Sequence, residues 1–217
     1  MTNFGIRRDF SDLRADMIER LGNIGFELLN TTPLEWIAVF SGLFYVLLIA
    51  RKNSKGWFFA AVSSGIYIYL CFINDYFLES ALQVFYLAMA LYGWVTWQKT
   101  RNEVQFIRRW KLKYHLINIV ISALLTVLLG FIFSSFTSQQ LPYLDAFTTV
   151  FSIGATFMVT QKVLENWIYW IVIDLLSIQL YAHRDLNLTA VLFALYTVIA
   201  VVGYFRWRKA FRLQQGV

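Results

Sequence analysis

The chain has 217 residues, of which 59% are hydrophobic, 18% aromatic and only 15% charged, with a mean hydropathy of +0.56; it is too apolar to cover a soluble domain with polar surface and belongs in a bilayer. Its net charge of +6 would suit nucleic acid, but the basic excess sits in three short clusters flanking apolar runs, where such residues set membrane orientation, and no nucleic-acid partner is expected. Cys71 is the single cysteine, which excludes an intramolecular disulfide and a cysteine metal cage.

Residues 1–33 contain no apolar stretch of the kind a cleavable signal needs. Instead Phe10, Leu13, Met17, Leu21, Ile24 and Leu28 recur at helical spacing, with Asp12, Asp16 and Glu19 on other faces. This predicts an amphipathic helix that either lies on the membrane surface or caps the bundle. Beyond Pro33, apolar runs of the roughly 17–25 residues that span a bilayer are expected. About seven are read, over 34–50, 56–73, 79–98, 114–136, 144–160, 166–182 and 187–205. The expected class is an all-α integral membrane protein. A first three-helix bundle occupies 34–98, a basic loop and linker helix 99–143, a second three-helix bundle 144–208, and a short tail 209–217.

The chain also repeats itself. Shifted by 110 positions without a gap, Trp57 falls on Trp167, Asp75 on Asp185, Tyr86 on Tyr196, Gly93 on Gly203 and Trp97 on Trp207. Three helices and one connector separate the copies, so the two triplets run in the same direction as a parallel repeat about an axis along the membrane normal. Duplicated bundles with a site between their halves are a common architecture of secondary transporters.

Loop charges orient the bundle. Arg51, Lys52 and Lys55 fill the first loop, Lys99, Arg101, Arg108, Arg109, Lys111 and Lys113 the third, and Arg206, Arg208, Lys209 and Arg212 follow the last span. The opposite face carries Asp75, Glu79 and Asp145, with Arg184 and Asp185 cancelling each other. The positive-inside rule then places the C-terminus in the cytoplasm and the N-terminus outside.

Asp174 is an acid near the middle of a span, and its repeat mate is the neutral Ser64. An ionisable group at that depth is costly and turns toward the bundle interior or a water-filled cavity. It serves a solute there, or it is a carboxyl held by a neighbouring helix or kept protonated. Trp167, Trp170 and Asp174 share one helix face, and two indoles above a carboxylate suit a flat cationic ring through stacking, cation–π attraction and charge pairing. Trp167 alone equally reads as an interfacial anchor. Gln83 and Tyr86, one turn apart, offer an amide and a phenol either to a ligand or as polar glue between helices. Trp94, Trp97 and Trp207 sit beside basic clusters and read as aromatic belt. Glu35 and Asn166 begin spans and read as caps, with Asn166 a further site candidate beside the tryptophans.

Other function classes fit poorly. A retinal-type photoreceptor needs a lysine in its last span, and 186–205 has none. An ATP-driven pump needs a GxxxxGK[ST] loop, which is absent. An enzyme needs converging nucleophiles, bases or metal ligands, yet His115 and His183 lie near opposite membrane faces and no acid pair shares a helix face. No catalytic residue, cofactor or metal is expected. A solute sensor without transport is a competing reading.

The stretch Val163-Leu164-Glu165-Asn166-Trp167-Ile168-Tyr169-Trp170, followed by Asp174 and Ser177-Ile178, resembles the ENWxxW signature of the PnuC vitamin transporters. Gln83-Val84-Phe85-Tyr86 with Tyr92-Gly93-Trp94 and Trp97 does so too, and the resemblance extends over 34–208. It implies a three-plus-one-plus-three helix fold related to the SWEET sugar transporters, a homotrimer in a bacterial inner membrane, and facilitated uptake of a B-vitamin or its nucleoside, trapped by cytoplasmic phosphorylation. Gln83, Tyr86, Asn166, Trp167, Trp170 and Asp174 are the substrate-binding residues it implies. The nicotinamide riboside members carry Asn at the position of Asp174. A carboxylate there favours the permanently cationic thiazolium of thiamine, as in the PnuT branch, with nicotinamide riboside, also a cation, as the alternative.

Overall fold

The computed structural model describes residues 10–74, 77–99, 107–137 and 140–216, with backbone alone for a few residues at the starts of two helices. Asp75, Arg101 and the side chains of Phe10, Asp12, Leu13 and Asp16 lie outside the described part. The described chain is all helix: α1 (Phe10–Asn30), α2 (Pro33–Ala50), α3 (Gly56–Ile73), α4 (Phe77–Lys99), α5 (Leu112–Phe136), α6 (Pro142–Thr160), α7 (Asn166–His183) and α8 (Asn187–Gln214). Five of them, α2, α3, α5, α6 and α8, are long and apolar enough to cross a membrane. The helices α4 and α7 match them in length but are less apolar on average.

Local chemistry sets the helix ends. At the start of α2 Thr32 and Glu35 form a capping box: the Glu35 carboxylate accepts from the Thr32 backbone N–H at 2.6 Å, and the Glu35 N–H donates to Thr32 Oγ1 at 3.3 Å. The ends of α2 and α6 are twins. Lys52 and Lys162 take φ values of 59° and 58°, Asn53 N–H donates to the Leu48 carbonyl at 2.9 Å, and Val163 N–H donates to that of Met158 at 3.0 Å. Both are left-handed C-terminal caps with lysine where glycine is usual.

Within each triplet the middle helix packs on both neighbours, and α4 against α6 and α2 against α8 close a six-membered ring. The linker α5 packs outside on α6, and α1 docks on α8. Repeat mates make the same contacts at both closures. Trp97 Nε1 donates to the Val159 carbonyl at 3.3 Å and Trp207 Nε1 to that of Ile49 at 3.1 Å, where Ile49 and Val159 are themselves 110 positions apart. Gly93 lies against the Trp57 ring and Gly203 against that of Trp167, each so close that a Cβ would fall 2.5 Å and 2.9 Å from indole atoms. The pairs Trp57–Trp97 and Trp167–Trp207 meet edge to face with centroids 5.6 and 5.5 Å apart, and Trp97 meets Trp207 across the axis at 6.0 Å.

The four indoles form a buried cluster, each 2% exposed or less. The belt expected of Trp97 and Trp207 is therefore corrected: small glycines let the helices approach, and the indole N–H groups find helix-end carbonyls instead of the interface. Trp94, 36% exposed, keeps an outward position.

Two peripheral segments are tied down. The Glu27 carboxylate accepts from the Asn187 and Leu188 backbone N–H groups at 3.1 and 3.0 Å, placing a negative charge on the first turn of α8. This docks α1 on the bundle while Met17 and Leu21 stay exposed. The basic loop expected to open the 99–143 segment is, in its described part, a strap. Arg108 pairs through its backbone with Lys162 and Leu164 at 3.0 and 2.8 Å, and Gln214 holds Ile107 by both backbone groups. Arg109 Nε donates to Glu165 Oε1 at 2.5 Å, which pushes the guanidinium further above its ordinary pKa. Gln214 reaches that strap because α8 runs on as a helix through residue 214, well past the span end expected at 205.

Candidate substrate cavity

The ring encloses a cavity of about 510 Å³ lined by all six of its helices. Five of the six expected site residues, Gln83, Tyr86, Trp167, Trp170 and Asp174, line it. Asn166 does not. Its side chain is fully buried and donates from Nδ2 to the Val163 carbonyl at 2.6 Å, fixing the turn into α7. One residue before Trp167 on a helix is a turn of about 100°, which swings it off the cavity face.

On α7 the three-and-four spacing brings Trp167, Trp170 and Asp174 to the lumen together. Asp174 is 3% exposed, and its carboxylate has no hydrogen-bond or ion-pair partner among the described residues. No neighbouring helix holds it. On α4 the Gln83 amide is likewise unpartnered, whereas Tyr86 is engaged: its hydroxyl lies 2.5 Å from Ser152 Oγ on α6, which itself donates to the Thr149 carbonyl at 2.7 Å. Polar glue across the ring closure is thus what the Tyr86 hydroxyl does.

Among the lining residues that spacing along one helix does not reveal, the repeat register points to two. Trp57, mate of Trp167, faces the cavity, and the Nε1 groups of these two indoles have no hydrogen-bond acceptor. Tyr196, mate of Tyr86, has a hydroxyl without a hydrogen-bond partner among the described residues. The residue that corresponds to Ser152 is Gly42, and a Cβ there would come within 2.9 Å of Tyr196 Oη.

The four-tryptophan cluster seals the cavity at the end where the basic loops lie. Toward the other end, Asp145 lines the lumen and accepts from Arg184 Nη2 at 2.9 Å. Arg184 therefore pairs with Asp145 across α6 and α7, not with its sequence neighbour Asp185. Among the described residues, no lysine or arginine lines the cavity, and no group of His, Cys, Asp and Glu gathers as a metal site.

Known proteins align with this architecture along nearly its whole length. The nicotinamide riboside transporter PnuC of Escherichia coli strain K12 is 24% identical over 219 residues, covering 88% of this chain and 90% of that protein. The nicotinamide riboside transporter PnuC of Neisseria mucosa is 22% identical over 206 residues, covering 85% and 76%. The crystal structure of the vitamin B3 transporter PnuC shares the fold with a TM-score of 0.69 and 21% identity, over 92% of this chain and 93% of that one. Residues 32–209 match the family described as nicotinamide mononucleotide transporter, a span that contains the linker helix, every residue of the cavity and both helix triplets up to the last turn of α8, and the chain belongs to that membrane-transporter family.

Proposed function

We propose that the protein carries a vitamin with a flat cationic ring, nicotinamide riboside first among them, down its gradient through the cavity between the two triplets. The observation that carries this reading is the Asp174 carboxylate, one turn from Trp170 and without a partner among the described residues, in a lumen whose other acid, Asp145, is already paired with Arg184. A pyridinium ring stacked on the indole places its charge beside the acid, and Gln83 and Tyr196 supply polar groups for a ribose. The thiamine preference drawn from Asp174 finds no support among the relatives described above, which are named for nicotinamide riboside or vitamin B3; thiamine stays second on the strength of the carboxylate alone. The homotrimer, the cytoplasmic C-terminus and metabolic trapping by phosphorylation belong to the same proposal.

The test is a binding panel of the purified protein against nicotinamide riboside, thiamine, riboflavin and their phosphate esters. The free cationic vitamins bind, nicotinamide riboside most tightly, and the phosphate esters bind far more weakly, because the cavity offers an acid and no guanidinium or ammonium to pair with a phosphate. Tighter binding of nicotinamide mononucleotide than of the riboside would overturn the reading.

Transport itself should run downhill, since the chain has no nucleotide motif and two rigid triplets rocking about a fixed site need no energy input. Proteoliposomes holding only buffer are expected to equilibrate nicotinamide riboside and to stop there. Accumulation above the outside concentration under an imposed proton or sodium gradient contradicts this, and binding without any flux would make the protein a sensor.

A further inference from the structure

We infer that Ala60 and Ser64 on α3 determine specificity: they form the wall that faces Trp170 and Asp174 across the cavity, and the room they leave decides which ring the site admits. This rests on the ring-binding reading above. Its ground is the broken symmetry of the lumen. The two triplets are related by a twofold axis, so repeat mates face each other across it. Mates that build the scaffold are kept, as the paired tryptophans and glycines around the sealed end show. On α3 and α7 the lumen-facing mates one and two turns beyond the Trp57–Trp167 pair are not kept. Ala60 stands opposite Trp170 and Ser64 opposite Asp174, all four line the cavity, and Ala60 and Trp170 both pack at the edge of the same tryptophan cluster.

A second indole at 60 would put two ring platforms face to face in the space a ligand must enter. A second carboxylate at 64 would set two like charges opposite each other and push one of them to take up a proton. The small pair instead leaves one platform, one counter-charge and an open wall, which suits a ligand with one ring and one positive charge. Ser64 adds a hydroxyl that both donates and accepts.

The test uses the full chain in detergent or nanodiscs, with nicotinamide riboside and thiamine as probes and a melting curve for every variant. Ala60→Trp is expected to weaken binding of whichever probe the parent binds by about 10-fold or more. Moving the platform to the other wall, Ala60→Trp with Trp170→Ala, should recover most of that loss, which a merely disruptive substitution would not allow. Phe58→Trp, two residues away but 57% exposed on the outer face of α3, should leave binding unchanged. Should Ala60→Trp fail to fold, Ala60→Leu carries the test with a smaller expected loss. Parent-like binding by the folded Ala60 variant overturns the inference and leaves the ring-binding reading standing, whereas a parent that binds neither probe removes that reading and the inference with it.

Discussion

Asp174→Asn is expected to weaken binding of nicotinamide riboside and thiamine by roughly 10-fold or more, the equivalent of about 1.5–3 kcal/mol for a charge-assisted contact in a desolvated site. The substitution keeps shape and hydrogen-bonding capacity and removes only the counter-charge. Because the carboxylate has no partner to lose among the described residues, the change strands no buried cation and should leave the melting temperature unchanged or raised. A reduced, uncharged nicotinamide riboside is the control, and its binding should be insensitive to the same substitution. Trp170→Ala should cost at least as much for the cationic and the uncharged ring alike, since it removes the stacking face instead of the charge. Isothermal titration of the parent and both variants with the cationic and the uncharged ligands separates the two contributions. Equal binding of the cations by parent and Asp174→Asn would mean that the carboxyl is protonated or idle.

Trp207→Ala and Trp97→Ala are expected to act on stability, each by about 3–5 kcal/mol, the range for removing a large buried aromatic side chain. Each indole is at most 1% exposed, closes one of the two ring interfaces and donates to a carbonyl of the other triplet. Removing one opens a void under the cavity and releases an indole hydrogen bond that crosses that closure. Thermal melts in detergent should show a clear loss for both variants and nearly the same loss for each, because the two sites are repeat mates. Trp94→Ala, at an outward-facing position three residues from Trp97, is the control and should shift the melt little. A Trp97→Ala protein as stable as its parent would put Trp97 back in the aromatic belt.

The sequence by itself determined the repeat, the three-plus-one-plus-three order of spans and the face of α7 that carries Trp167, Trp170 and Asp174. All of these follow from spacing along one chain: a period of 110 residues, runs long enough to cross a bilayer, and side chains three or four apart on a helix. An isolated acid in an apolar span is also legible without coordinates, because it has few places to go. What only the tertiary structure decided is which way the remaining faces turn. Trp97 and Trp207 were read as belt because they neighbour basic clusters, and they are buried. Asn166 was read beside the tryptophans, and it turns away into the entry to α7. Tyr86 lines the cavity as its place beside Gln83 predicts, and the structure adds that its hydroxyl meets Ser152 across the α4–α6 closure. The basic loop shows no partners in its spacing, and the structure bonds its described part, 107–110, to the α6–α7 turn and the end of α8. In a soluble protein hydrophobic periodicity separates core from surface, because water rejects apolar side chains. Lipid is as apolar as the interior of the bundle, so that contrast vanishes. Burial is then decided by close packing at small residues and by where each indole, amide and hydroxyl finds its partner, which are properties of two or more helices at once and are written in no single one of them.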